Sequence, residues 1–273
     1  MSDLTRTEDK PSLSHISPKA LMALPGKEAL DVILESPMPA RLVQSIAEED
    51  LFWLVQDIGP EDALEILARA SNDQWQYILD IELWHRDRLE NDAVNRWMHL
   101  LMKADRQRFV AWSVHNNVEL LELHLFRNLE VRIKEEEEGP VDFGEGFFSL
   151  DDVFFVRISD DKNYQTIRQF LELLAEQDVN RYREVLLEIG GVLPAETEET
   201  LYRFRNVRLA EKGFLPFEEA VGIYQPVSPK KLQKKEFGAH QDMKEADSTQ
   251  VVPVSGSLFI KDHSLFSMAL RYV

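Results

Sequence analysis

Apolar side chains recur every three to four positions through most of residues 19–138, and this spacing predicts a series of short amphipathic α-helices. Neither Gly nor Pro occurs between Pro60 and Gly139, so nothing in this stretch forces the helical pattern to stop. The predicted helices are 27–35, 39–46, 49–58, 60–70, 73–84, 89–103, 106–115 and 118–133. Helices this short are marginally stable alone. We therefore expect a mainly α fold, an array of short stacked helices that is compatible with a small superhelix.

A short internal repeat supports this array. Residues 42–46 (LVQSI) recur twelve positions later as residues 54–58 (LVQDI), and acidic residues precede the next helices at a similar step. Acidic side chains in a first turn complement the positive end of the helix dipole. The five tryptophans lie in or beside the same region, and we expect all of them in the hydrophobic core. They are Trp53, Trp75, Trp84, Trp97 and Trp112.

The pattern changes after Gly139. Two runs rich in aromatic and β-branched residues, 147–150 and 153–158, flank the turn signal Asp151-Asp152 and predict one inserted β-hairpin near residues 146–158. Helical spacing then returns in 163–176, 179–189 and 196–212. Gly190-Gly191 and Gly213 are the stop signals of the last two helices.

These changes divide the chain into five segments. We expect a flexible N-terminus (1–18), a helical-repeat domain (19–138), a hairpin with helices packed on it (139–224) and an exposed linker (225–256). The linker prediction rests on its lysines, prolines and small polar residues, which bury little apolar surface. Residues 257–273 are apolar again, and we expect them to begin a further element of a longer chain.

The charge balance excludes several functions. The 273 residues include 49 acidic and 31 basic side chains, for a formal net charge of −18. Such a surface repels phosphate backbones, so we expect no nucleic-acid partner.

No apolar run approaches the roughly 18 residues that span a bilayer, so we expect no membrane insertion. Cysteine is absent, which excludes disulfides and thiol catalysis, and together with the polar residues 1–10 it favours a cytoplasmic protein.

Catalytic and cofactor motifs are missing from the sequence. It contains no nucleophile elbow, no phosphate-binding loop and no dinucleotide-binding glycine pattern. Glu82 and His85 have the Glu-x-x-His spacing of helical di-iron sites, but no second copy of the motif completes such a site. We therefore predict no catalytic residue, no bound metal and no cofactor.

The basic end of the 196–212 helix is the one candidate site. Tyr202, Arg205, Asn206, Arg208 and Lys212 lie on neighbouring turns, and the planar guanidinium group suits carboxylates and phosphates. One hypothesis is therefore an anion-binding site. The favoured alternative is that Arg205 and Arg208 join helices through buried ion pairs. The carboxylates expected for this role are Glu184, Glu188, Glu218 and Glu219.

Residues 146–157 (GFFSLDDVFFVR) and 199–214 (ETLYRFRNVRLAEKGF), followed by Glu218-Glu219-Ala220, resemble a family of bacterial proteins of unknown function, found mainly in deltaproteobacteria. The resemblance spans roughly residues 20–227 and implies no activity or site residue. Residues 49–70, with the phrase PEDA at 60–63, are also similar to the acidic helical N-terminal domain of MgtE-type magnesium transporters.

These observations favour a non-catalytic, cytoplasmic helical-repeat module for interaction or regulation, with a protein partner. Two alternatives remain open. One is a domain that senses a divalent cation such as magnesium, and the other is a binder of, or enzyme for, a small anionic ligand at the Arg205–Arg208 helix.

Overall fold

The computed structural model describes residues 17–134, 144–215 and 217–223. In these ranges the protein is mainly α-helical, as predicted, with two small β-sheets. The helices are α1 (Pro18–Leu21), α2 (Gly26–Leu34), α3 (Pro39–Gln44), α4 (Glu48–Ile58), α5 (Leu64–Leu67), α6 (Asn72–Glu82), α7 (Asn91–Asn116), α8 (Val118–Asn128), α9 (Tyr164–Gln177), α10 (Val179–Glu188), α11 (Pro194–Glu211) and α12 (Phe217–Ile223). The predicted linker 225–256 and the element 257–273 lie outside the described residues.

Helices α4 and α6 show clear local signals at their ends. Helix α6 begins with a capping box, in which the Ser71 side chain accepts from the Gln74 backbone N–H and the Gln74 side chain accepts from the Ser71 backbone N–H. Helix α4 carries three acidic residues in its first turn and ends at Gly59, whose φ is +100°. The predicted helix 60–70 is wrong in extent. Hydrogen bonds from Asp62 and Ala63 back to Gly59 make a turn there, and only α5 is α-helical.

Helix α7 contains the break that the sequence predicts between 89–103 and 106–115. Asp105 has φ −154° and ψ 88°, which interrupts the helix, and its Oδ1 accepts a hydrogen bond from the backbone N of Arg108 at 3.2 Å. Asp105 therefore caps the second half of α7 as an N-cap residue does.

The predicted hairpin is present, but it belongs to a larger sheet. Strands β4 (Phe148–Ser149) and β5 (Phe154–Ile158) pair antiparallel around Asp151. Strand β3 (Leu129–Ile133) pairs with the other edge of β5, so the strand order is β3-β5-β4. The predicted helix 118–133 is thus wrong after Asn128. Leu129, Val131 and Ile133 alternate with charged residues at the period of a strand, and pairing with β5 satisfies the backbone of both strands.

A second hairpin was not predicted. Strands β1 (Trp84–His85) and β2 (Arg88–Leu89) pair antiparallel, and Arg86 in the turn between them has φ +59°. These residues fall at the ends of the predicted helices 73–84 and 89–103. Arg86 adopts a positive φ although it is not a glycine, so the sequence gives little sign of this turn.

One hydrophobic core joins elements from both sides of the undescribed segment 135–143. Trp75, Trp97 and Trp112 are buried in it, and Trp84 is half-buried. The prediction that all five tryptophans are buried is wrong for Trp53, whose exposed fraction is 62%. Helix α11 lies against α8 and β2, at the surface of this core.

Among the described residues, no helix combines the length and the apolarity that crossing a membrane requires.

Candidate functional site on helix α11

Helix α11 has well-defined ends. Pro194 occupies its first turn, where a missing backbone N–H costs nothing. At the other end Gly213 has φ +85°, and the backbone N of Phe214 donates to the Leu209 carbonyl at 3.0 Å. This is a Schellman-type ending, which glycine favours because it has no Cβ. Gly213 thus stops the helix as predicted.

Arg208 joins α11 to α6 through an ion pair. Its Nε and one terminal nitrogen each donate to a different carboxylate oxygen of Asp80 on α6, both at 2.7 Å. The Asp80 side chain is 5% exposed and also accepts from the Gln76 side chain at 3.0 Å. This bidentate geometry gives the preferred pairing of a guanidinium with a carboxylate.

Arg205 reaches the same residue through its backbone. Its Nε donates to the Asp80 carbonyl oxygen at 2.5 Å, and a terminal nitrogen donates to the Asn206 side chain at 3.3 Å. Its guanidinium carbon lies 5.8 Å from the ring centroid of Trp84 and 5.9 Å from that of Tyr202. Burial lowers the pKa of Arg205, and the nearby Asp80 opposes that shift.

Lys212 makes a third link between distant helices. Its Nζ donates to Glu48 at 2.6 Å and lies 3.5 Å from a Glu49 carboxylate oxygen, both in the first turn of α4. The hydrogen bond with Glu48 raises the pKa of Lys212 and lowers the pKa of Glu48. These side chains are partly exposed, so the pair contributes little to stability.

The structure places four of the five predicted residues on α11 and Lys212 directly after it. Three of the expected carboxylate partners, Glu184, Glu188 and Glu219, are wrong, and the fourth, Glu218, is not tested. Glu184 pairs with Arg181. Glu188 lies beside Glu122, and the pKa of Glu122 is raised to about 7, mainly by burial and to a lesser extent by a hydrogen bond with Glu188. Glu219 is exposed, and the side chain of Glu218 lies outside the described residues. Asp80 is the carboxylate that pairs with Arg208, whose side chain is 41% exposed. Among the described residues Arg205 forms no ion pair and contacts the Asp80 carbonyl instead, so the prediction of two buried ion pairs is wrong for Arg205.

Sequence reasoning missed Asp80 although the sequence contains a signal for it. Asp80 interrupts the apolar run 77–81 (YILDI). A charged residue on the buried side of a helix needs a partner, so this position calls for an arginine from elsewhere in the chain.

Sequence reasoning also missed Glu198, a buried carboxylate on the inner side of α11. Its carboxylate accepts from the Leu89 backbone N at 2.7 Å and from Arg127 at 2.8 Å. Glu198 thereby ties α11 to β2 and α8. Together with the contacts of Asp80 on α6, the Glu198 carboxylate joins α11 to three other elements, α6, α8 and β2.

The opposite face of α11 is apolar at its centre. Phe204 is 51% exposed and Val207 is 55% exposed, and Phe214 and Leu215, just beyond the helix, are about half exposed. We call the outward residues Arg203, Phe204, Val207, Ala210 and Glu211 the outer face of α11. The helix thus directs Arg205 and Arg208 inward and large apolar side chains outward.

Two concave features lie away from α11. A groove of about 1120 Å³ runs between α7 and α9 at the Asp105 break and is lined by charged residues of both signs. A small cavity of about 40 Å³ lies in the core beside Trp97, Trp112 and His124. Burial lowers the pKa of His124 to about 4, and its Nε2 has no partner within the described part of the chain.

Metal binding finds no support in the described ranges 17–134, 144–215 and 217–223, where no three His, Asp or Glu side chains are grouped to hold an ion. Glu82, from the Glu-x-x-His pair, instead accepts from Gln56 at 2.8 Å and from the Trp97 indole at 3.3 Å. His85 is exposed in β1.

No curated protein and no solved structure matches the chain. A family model described as a family of unknown function (DUF6178) matches residues 11–273, nearly the whole sequence and a longer span than the resemblance seen in the sequence alone. The chain therefore belongs to DUF6178, a family of unknown function.

Proposed function

We propose that this protein is a non-catalytic interaction module that docks a protein partner on the outer face of α11. The observation that carries the proposal is the inverted arrangement of this helix. A surface helix ordinarily turns its apolar side chains to the core and its charges to solvent. Helix α11 holds two arginines inward, against Asp80, and leaves Phe204 and Val207 in solvent.

The contacts of α11 support a role as a rigid platform. Asp80 and Glu198 fix the helix from its inner side, so its outer face is presented without a large loss of conformational freedom on binding. Aromatic and aliphatic side chains at the centre of a surface are typical anchors of protein interfaces. The occupied arginines also weigh against an anion site, because a carboxylate already fills the fork of Arg208.

The overall charge narrows the kind of partner. A net charge of −18 disfavours nucleic acids and anionic membranes, which leaves proteins as the favoured class. The cysteine-free composition supports a cytoplasmic setting.

The experiment is capture of partners from native cell extract with the full chain, followed by the same capture with Phe204→Ser/Val207→Ser. Leu187→Ser is the matched control, because Leu187 is an apolar residue on α10 with an exposed fraction of 62%. We expect the double variant to lose the captured protein and the control to keep it. The free energy of unfolding of both variants should lie within about 0.5 kcal/mol of that of the original chain, since substitutions at exposed positions are nearly neutral.

Two results would overturn the proposal. One is equal recovery of the captured protein by the double variant and the control. The other is a fall of several degrees in the melting temperature of the double variant alone. That fall would show that Phe204 and Val207 are covered within the protein itself.

A further inference from the structure

The outer face of α11 is complementary to itself, and we propose that its occupant is a second copy of this chain, packed antiparallel through α11. This inference rests on the proposed function and names the partner. Val207 lies at the centre of the face, with Arg203 four residues before it and Glu211 four residues after it. Positions four apart lie on one side of an α-helix.

A twofold axis at Val207 generates the pairing. In an antiparallel pair of helices related by such an axis, a residue n positions before Val207 faces the residue n positions after it in the other copy. Arg203 then faces Glu211 of the second copy, twice in the dimer. Phe204 faces Ala210, and Val207 faces its own counterpart.

The sizes and charges of these residues suit that packing. Ala210 is small and exposed, so it leaves room for the Phe204 ring at the 8–10 Å separation typical of packed helices. Arg203 has an intrahelical ion pair with Glu199 at 3.7 Å, and both side chains are more than two-thirds exposed. That pair is weak enough to be exchanged for an intermolecular one. No ion pair within the described residues involves Glu211.

The predicted dimer is weak and reversible. An 18-residue helix is about 27 Å long, and a single helix face supplies less than the roughly 800 Å² per partner of a standard interface. Two copies that each carry a charge of −18 also repel each other, and salt screens this repulsion. We therefore expect dimerisation to strengthen as ionic strength rises toward the physiological value.

The test is sedimentation analysis of the full chain from about 1 to about 200 µM, a range that brackets weak association. We expect monomers at the low end and a growing dimer fraction at the high end. Arg203→Glu or Glu211→Arg alone places like charges opposite each other twice and should raise the dissociation constant at least about tenfold. The charge-swapped chain with both changes should return to within about threefold of the original. Glu199→Gln is the control, because it removes only the intrahelical partner of Arg203.

Each other outcome counts against the dimer. A chain that stays monomeric at the highest concentration refutes self-association. The docking proposal would survive that result if Phe204→Ser/Val207→Ser still lost a captured protein, and would fail with it if capture were unchanged. A dimer that forms but ignores the charge swap, or that tolerates Phe204→Ser, assembles through another surface and also refutes the inference.

Discussion

Replacing Arg208 by alanine should lower the free energy of unfolding by about 2 kcal/mol. The substitution removes two hydrogen bonds of 2.7 Å to Asp80, a carboxylate whose side chain is 5% exposed. Breaking a fully buried ion pair costs about 3–5 kcal/mol, because the remaining charge is stranded. Two features reduce that figure here. The Arg208 side chain is 41% exposed, so water can enter the vacated space, and Gln76 continues to donate to Asp80.

Urea and thermal unfolding measure this loss. For a protein of this size, about 2 kcal/mol corresponds to a fall of about 4–8 °C in melting temperature. Arg203→Ala is the matched control, since Arg203 lies on the same helix, is 69% exposed and pairs only weakly with Glu199. It should cost less than about 0.5 kcal/mol.

A second substitution separates the stranded charge from the lost packing. Asp80→Asn in the Arg208→Ala background should recover part of the stability, because a neutral amide is less costly to bury than a carboxylate. Equal stability of Arg208→Ala and Arg203→Ala would refute the reasoning. It would mean that Asp80 is hydrated and that this ion pair does not hold α11 in place.

Three further predictions address other parts of the fold. Lowering the pH from 7 to 5 should reduce the free energy of unfolding by about 2 kcal/mol through His124, because the histidine has a pKa near 6.5 in the unfolded chain and about 4 when buried. In urea titrations the variant His124→Leu, which has no imidazole to protonate, must lose less stability over the same pH change. Gly26→Ala should cost about 1–2 kcal/mol, because an added Cβ would lie 2.9 Å from the Asp57 carboxylate oxygen that accepts from the Gly26 N–H. Gly190→Ala, with open space around it, should be neutral in the same thermal melts, and equal effects would contradict the clash. Trp53→Phe should remove most of the iodide-quenchable fluorescence with little change in stability, whereas a persistent quenchable fraction would show that Trp53 is covered.

Much of the helical fold could be predicted because its signals are local. Gly213 and the acidic first turn of α4 mark helix ends through backbone geometry and dipole charge, and both act within a few residues. Strand β3 could not be found in the same way. Its alternation of Leu129, Val131 and Ile133 is short, follows a strong helical pattern, and becomes a strand only through pairing with β5, which lies more than twenty residues later.

The candidate site shows the same limit. The sequence identified Arg205 and Arg208 as a cluster, because residues on neighbouring helical turns are close in sequence. Their partner, Asp80, is 128 positions away from Arg208, and periodicity alone does not specify which distant helix packs on which. The wrong prediction for Trp53 has a different origin. On α4 it lies opposite the buried stripe and shares a side with Gln56 and Asp57, so helical spacing already places it toward solvent, and residue type alone was misleading.

The long separations that α11 bridges have a consequence for synthesis of the chain. Asp80, the Leu89 backbone N–H and Glu48 are made 128, 109 and 164 residues before their partners in or beside α11. At about 5–20 residues per second, Asp80 waits about 6–26 seconds on the ribosome for Arg208. Until then Asp80 has no cation, and it avoids the cost of an unpaired buried carboxylate by staying in contact with water. The region around Asp80 should therefore close only after α11 emerges from the ribosome.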